Sequence, residues 1–209
     1  MLFRDGGTFR YLMASRPAIG AGGRDKGEGT TRMTETEDTI RDWRHEVLPI
    51  LKSFDVKHVV YVPDAGHAVA IRAAEQDNDL VTLALTTEEE GIGYLAGCWL
   101  GGERGALLMQ SSGVGNCINT LALQTMTRFP LLMLVTMRGD WAEFNPWQNP
   151  MGQATEASLK LMGVRTWRAD RGEDVGPLLR GAATMAFNGD EACALLLGQR
   201  LIGEKKWVK

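Results

Sequence analysis

"LALTTEEEGIGYLAGCWLGG", residues 83–102, runs from a strand-like apolar end through three consecutive glutamates into a segment of glycine, alanine and large apolar residues. The spacing predicts a strand, a tight turn and a helix beginning at Glu88, and this step recurs along the chain. Thr87 stands at the N-cap position with Glu90 three residues on, the pattern of a capping box, and acids in a first turn complement the helix dipole. Glu89 is left to turn to another side, one turn ahead of Gly93 and near Ala96 and Gly97. Glycine inside a helix costs about 0.5–1 kcal/mol relative to alanine, so Gly91, Gly93 and Gly97 predict close approach by another helix or a ligand. Gly91, Gly93 and Ala96 also fit G-x-G-x-x-A, but the turn comes several residues earlier and no acidic residue follows at the distance a dinucleotide site needs.

Outward from this stretch, strand-like and helix-like runs alternate. "HVVYVP" (58–63), "LVTLAL" (80–85), "GALLMQ" (105–110), "PLLMLVTM" (130–137), "VRTWRA" (164–169) and "ACALLLG" (192–198) read as strands, with helical spacing between them. Runs that are apolar throughout suit strands covered on both faces, so the expected fold is α/β: an open, mostly parallel six-stranded sheet with helices on both faces.

Ligands in such sheets bind beyond the carboxyl ends of the strands. The unusual residues stand there: "PDAGH" (63–67), "TTEEE" (86–90), "SSGVGN" (111–116) and "RGDWAEFNPWQNP" (138–150). "SSGVGN" reads either as an ordinary strand-to-helix turn or as backbone open to a ligand; without Gly-Lys-Ser/Thr it is not a phosphate loop. The loop from Arg138 to Pro150 is long and holds Trp141 and Trp147, as expected of a lid or partner surface, or of a loop packed over the core.

The bulk properties narrow the class. The 209 residues fit one domain with a tail, and 44% apolar with 23% charged residues is ordinary for a globular protein. A net charge of −3 argues against a nucleic-acid partner. Cys98, Cys117 and Cys193 have no paired spacing, which favours a reducing, cytoplasmic setting, and with His45, His58 and His67 they form no metal-ligand pattern. No apolar run is long enough to span a membrane. Residues 1–33, rich in Gly and Arg, are expected to be a disordered or misassigned extension, with organelle targeting as a lesser alternative, and residues 34–209 the domain.

Taken together, "TTEEEGIGYLAG", "LLMQSSGVGNCINTLAL", "PLLMLVTMRGD" and "NPWQNPMGQATE" resemble the pyrimidine-binding domain of thiamine-diphosphate enzymes. More narrowly they resemble the alpha subunit of sulfopyruvate decarboxylase and the matching half of phosphonopyruvate decarboxylase, over about residues 36–200. The resemblance implies that one glutamate at the start of the 83–102 helix bonds N1′ of the aminopyrimidine and so helps remove the thiazolium C2 proton. The family pattern, a glutamate two residues before Gly-x-Gly, lands on Glu89. It implies further that Gln110, Ser111, Ser112, Gly113, Gly115 and Asn116 lie near the aminopyrimidine, and that Asp64 and His67 lie on the substrate side. Arg138 could face an anionic sulfonate or phosphonate, or pair with Asp140.

The resemblance also leads one to expect a second domain, bearing Gly-Asp-Gly and a later Asn, that holds diphosphate and Mg2+. "NGDEAC" (188–193) is not that motif and the sequence ends at Lys209. A separate beta subunit is therefore expected to supply that half. The implied activity is decarboxylation of a 2-oxo acid, sulfopyruvate before phosphonopyruvate, with a non-catalytic binding or regulatory subunit as the alternative.

Overall fold

The computed structural model describes residues 42–204, and the expectations placed on residues 1–33 lie outside them. Six strands form: β1 (Val56–Tyr61), β2 (Val81–Ala84), β3 (Arg104–Gln110), β4 (Leu131–Thr136), β5 (Arg165–Ala169) and β6 (Ala192–Leu197). Every pairing is parallel, in the order β2-β1-β3-β4-β6-β5. The chain thus leaves β1 in one direction to β2 and returns on its other side at β3, a reversal that opens a crevice between the carboxyl ends of β1 and β3.

The strands are apolar throughout because both faces are covered. Ala106 and Leu108 of β3 enter one core with Leu132, Leu134, Cys193 and Leu195, while Leu107 and Met109 enter the opposite core with Met133, Val135 and Leu196. Helices α1 (Val47–Ser53), α2 (Ala68–Glu75) and α7 (Gly172–Gly189) cover the first core. Helices α3 (Glu88–Leu100), α4 (Ser111–Cys117), α5 (Leu121–Thr127) and α6 (Asn149–Leu161) cover the second, and a short α8 (Gln199–Ile202) follows β6. None of the described helices is long and apolar enough to cross a membrane.

Two local expectations are corrected. Thr87 is the N-cap of α3, but its side chain makes no cap bond. Glu90 instead accepts from the Thr86 amide at 2.9 Å, one residue earlier than a capping box would have it. "SSGVGN" is helix rather than loop, since α4 begins directly at the end of β3.

The glycines of α3 divide by direction. A Cβ on Gly91 would lie 2.7 Å from Leu107 Cδ1, and one on Gly105 would lie 2.3 Å from Leu95 Cδ2 and 3.1 Å from the His58 carbonyl oxygen. These two let the helix lie close on the sheet. Gly93 and Gly97 point away, with nothing among the described residues within 4 Å of a Cβ on either. Gly93→Ala is expected to stabilise the chain by about 0.5–1 kcal/mol through helix propensity alone. Gly105→Ala should cost about 1–3 kcal/mol through overpacking. Denaturant unfolding of the two variants checks the contrast, and equal effects would contradict it.

Candidate active site

The carboxyl ends of β1, β3 and β4 converge on one carboxylate. Asp64, just beyond β1, caps the short turn Ala65–His67 by accepting from the Gly66 amide at 2.9 Å. The same oxygen, Oδ2, accepts from Thr136 Oγ1 at 2.7 Å, and Oδ1 accepts from Gln110 Nε2 at 2.9 Å. Gln110 Oε1 in turn accepts from Ser112 Oγ at 2.9 Å. A continuous polar run therefore passes from the end of β4 through Asp64 and Gln110 to the first turn of α4.

On the other side of that turn stands a second carboxylate, and it is Glu88. Three consecutive glutamates on a helix point about 100° apart, so only one of them can enter a given interface. Glu88 is 7% exposed, whereas Glu89 is half-buried and Glu90 exposed. The Glu88 carboxyl lies directly over Gly113, where a Cβ would sit 2.2 Å from its Cδ. Its Oε2 accepts from Asn116 Nδ2 at 2.9 Å, and its Oε1 carries no hydrogen bond among the described residues. Glu88 thus packs inside the chain, against Gly113, while Glu89 is half-buried on the helix face it shares with Gly93 and Gly97. Beneath it, burial, together with the charges of Glu88 and Glu89, pushes the Cys117 thiol up to about 12, so this cysteine is an inert packing residue.

The other expected site residues separate into two groups. Gln110, Ser112, Gly113 and Asn116 lie between the two carboxylates, and Gly115 is exposed beside Met151, with a Cβ there 3.3 Å from its sulfur. Ser111 points inward: it is fully buried, with Oγ accepting from the Arg138 amide at 3.0 Å and its carbonyl accepting from Thr155 Oγ1 at 3.3 Å. His67 also points inward. It is 2% exposed and its Nε2 faces the carbonyls of Met109 and Leu134 at 3.2 and 3.1 Å, so it ties β3 to β4 under the rim.

Arg138 pairs neither with Asp140 nor with an open crevice. Its Nε and Nη2 each donate to Glu143 at 2.6 Å, a bidentate clamp. Asp140 pairs with Arg168 instead. The loop folds back because Gly139 adopts φ +77° and packs against the Gln148 carbonyl, which brings Glu143 under Arg138. Glu143 also takes hydrogen bonds from the amides of Gly139 and Asn145 and from Gln199 Nε2. The Arg138 guanidinium, with these amide and side-chain donors, holds its carboxyl down to about 2. The near half of the loop is therefore fastened, while Trp147 remains 85% exposed at its far end. Glu88, Thr136 and Glu143 were not singled out from sequence.

No protein-family model matches the chain. Among curated proteins, the sulfopyruvate decarboxylase subunit alpha of Methanococcus maripaludis is 34% identical over 143 residues, 68% of this chain and 86% of that protein. The sulfopyruvate decarboxylase of Methanosarcina acetivorans is 32% identical over 120 residues, 57% of this chain but 31% of that longer protein. The phosphonopyruvate decarboxylase of Streptomyces viridochromogenes is 38% identical over 113 residues, 53% of this chain and 28% of that protein. Among solved structures, the 2-oxoglutarate:ferredoxin oxidoreductase of Magnetococcus marinus superposes with a TM-score of 0.58 at 12% identity, covering 79% of this chain and 33% of that one, a likeness of fold.

Burial holds the His67 imidazole below its ordinary 6.5, so it stays neutral in the folded chain, with Nε2–H donating to the two carbonyls. The unfolded chain takes up that proton first, so the contribution is full above pH 6.5 and lost as pH falls below it. Denaturant unfolding at pH 7.5 and 5.5 should show wild-type stability falling by at most about 1.4 kcal/mol per pH unit from this group. His67→Gln, which keeps a donor but cannot titrate, should lack that component; an unchanged pH dependence would contradict the assignment.

Proposed function

Since this chain belongs to the family of sulfopyruvate decarboxylase alpha subunits, we propose that it is the pyrimidine-binding half of a thiamine-diphosphate-dependent enzyme converting sulfopyruvate to sulfoacetaldehyde and carbon dioxide. The observation that carries the reading is that Glu88 is taken up inside the chain, against Gly113 and bonded to Asn116, which leaves Glu89, one turn ahead of Gly93 and half-buried, as the carboxylate on the open side of α3. Those residues fit a flat heteroaromatic ring, because a carboxyl so placed can share a proton with a ring nitrogen. When bound, thiamine diphosphate supplies the thiazolium that accepts the electron pair left by the departing carboxylate.

This chain's residues then divide the work. Glu89 holds and returns the proton at the ring nitrogen. Glu88, bonded to Asn116, fixes α3 against α4, and Gly113 allows that packing. Asp64 and Ser112 line the neighbouring side, towards the 2-oxo acid. Arg138 is neutralised by Glu143, so it is a brace for the loop rather than the cation that reads the sulfonate.

The diphosphate and Mg2+ are assigned to a partner subunit. Two observations support this division. The match covers 86% of a relative named as an alpha subunit, yet 31% of a relative named simply as the decarboxylase, whose longer chain holds much besides. The outer side of α3 is also bare: Gly93 and Gly97 meet nothing among the described residues, and Leu100 is exposed. On the same face of the sheet, Val81 and Leu83 of edge strand β2 are exposed beside His58 and Val60, their neighbours in register. Exposed apolar surface next to open glycines suits a second chain. Phosphonopyruvate is the second reading for the substrate, favoured by the 38% identity to a phosphonopyruvate decarboxylase.

The test is steady-state decarboxylation of both 2-oxo acids by the chain assembled with its partner. Glu89→Gln should lower kcat about 100-fold or more, the scale of acid–base catalysis, and Glu88→Gln should change it only a few-fold. Loss of activity in Glu88→Gln alone would move the role to Glu88. Full activity in both would remove the carboxylate mechanism.

A further inference from the structure

Thr136 is 1% exposed, at the end of a strand that is otherwise apolar, and its hydroxyl reaches across to Asp64 at 2.7 Å. Capping the Ala65–His67 turn needs only the Gly66 amide, which Asp64 already accepts. Two further donors arrive from other strands, Thr136 from β4 and Gln110 from β3. The approach of Thr136 is itself built in: a Cβ on residue 66 would lie 2.6 Å from Thr136 Cγ2, so only glycine there lets the turn sit against β4. A carboxylate held by three donors from three segments has one orientation available to it.

The grip also sets a direction of hydrogen bonding. A carboxylate only accepts, so Gln110 must turn its amide nitrogen to Asp64 and its oxygen to Ser112. The Ser112 proton is thereby committed to Gln110, and its oxygen is left to accept from whatever stands in the crevice between Asp64 and Glu88. We propose that Thr136 is a positioning residue for the substrate side of the site: through Asp64 and Gln110 it fixes Ser112 as a hydrogen-bond acceptor, suited to a ligand N–H or O–H. This rests on the decarboxylase reading above, in which that crevice receives the cofactor ring and the 2-oxo acid.

The experiment uses the assembled enzyme and the pair Thr136→Val, which keeps the shape and loses the hydroxyl, and Thr136→Ser, which keeps the hydroxyl. Thr136→Val should lower kcat about 10- to 100-fold, as expected for a lost hydrogen bond to a charged group. It should also move the acid limb of the kcat profile to higher pH, because a carboxylate that loses a donor protonates more readily. Its affinity for the unreactive 2-hydroxy analogue of the substrate, measured calorimetrically, should fall in parallel. Thr136→Ser should stand within a few-fold of wild type in all three. A Thr136→Val enzyme that merely melts earlier, with kcat, pH profile and analogue affinity unchanged, would overturn the proposal and leave Asp64 as a turn cap. Failure of the underlying reading looks different: the wild-type assembly would not decarboxylate, or Glu89→Gln would be fully active.

Discussion

One close approach organises the carboxyl edge of this sheet: the carboxyl of Glu88 occupies the space where any side chain on residue 113 would begin. A charged group taken that far from water is costly unless it is held by partners. Here Asn116, one turn along the same short helix, provides the hold that the structure shows. The approach fixes the spacing of α3 and α4, brings the first turn of α4 between two carboxylates, and leaves one carboxyl oxygen beside a glycine. The placing of the first turn of α4 at the strand ends and the packing of two helices thus depend on the same contact.

A second constraint is the division of labour among small residues. Gly91 and Gly105 bring α3 down on β3, and Gly66 and Gly139 bring a turn and a loop against their neighbours. These are interior requirements met within one chain. Gly93 and Gly97 meet nothing among the described residues, in a helix where alanine would be intrinsically better. Glycine retained in that place is consistent with close approach from outside the chain, next to the exposed edge of β2.

The fold was legible because the strands are buried on both faces, so that runs such as residues 130–137 read as apolar without alternation and their spacing implies a parallel sheet. The gathering of polar side chains at the strand ends was legible from the strand order. Which glutamate packs on α4 was not, because three identical residues carry no information about the helix's rotation against its neighbour, and that rotation is set by Gly113 on another element. Arg138 was misread because Asp140 is nearer in sequence than Glu143; the left-handed turn at Gly139 that reverses their order is a property of the folded loop. Thr136 was invisible because one hydroxyl at the end of an apolar strand looks like any β-branched strand residue. His67 resembled a site residue by its loop position, while its ring turns under the rim to two carbonyls.

The central claim, that Glu89 governs the proton at the cofactor while Glu88 packs within the chain, is tested most directly by the rate of hydrogen–deuterium exchange at the thiazolium C2 of thiamine diphosphate bound to the assembled enzyme. This reads proton removal before any substrate is added. The account predicts that exchange slows by orders of magnitude in Glu89→Gln and stays near the wild-type rate in Glu88→Gln. Rapid exchange in Glu89→Gln with slow exchange in Glu88→Gln would contradict it.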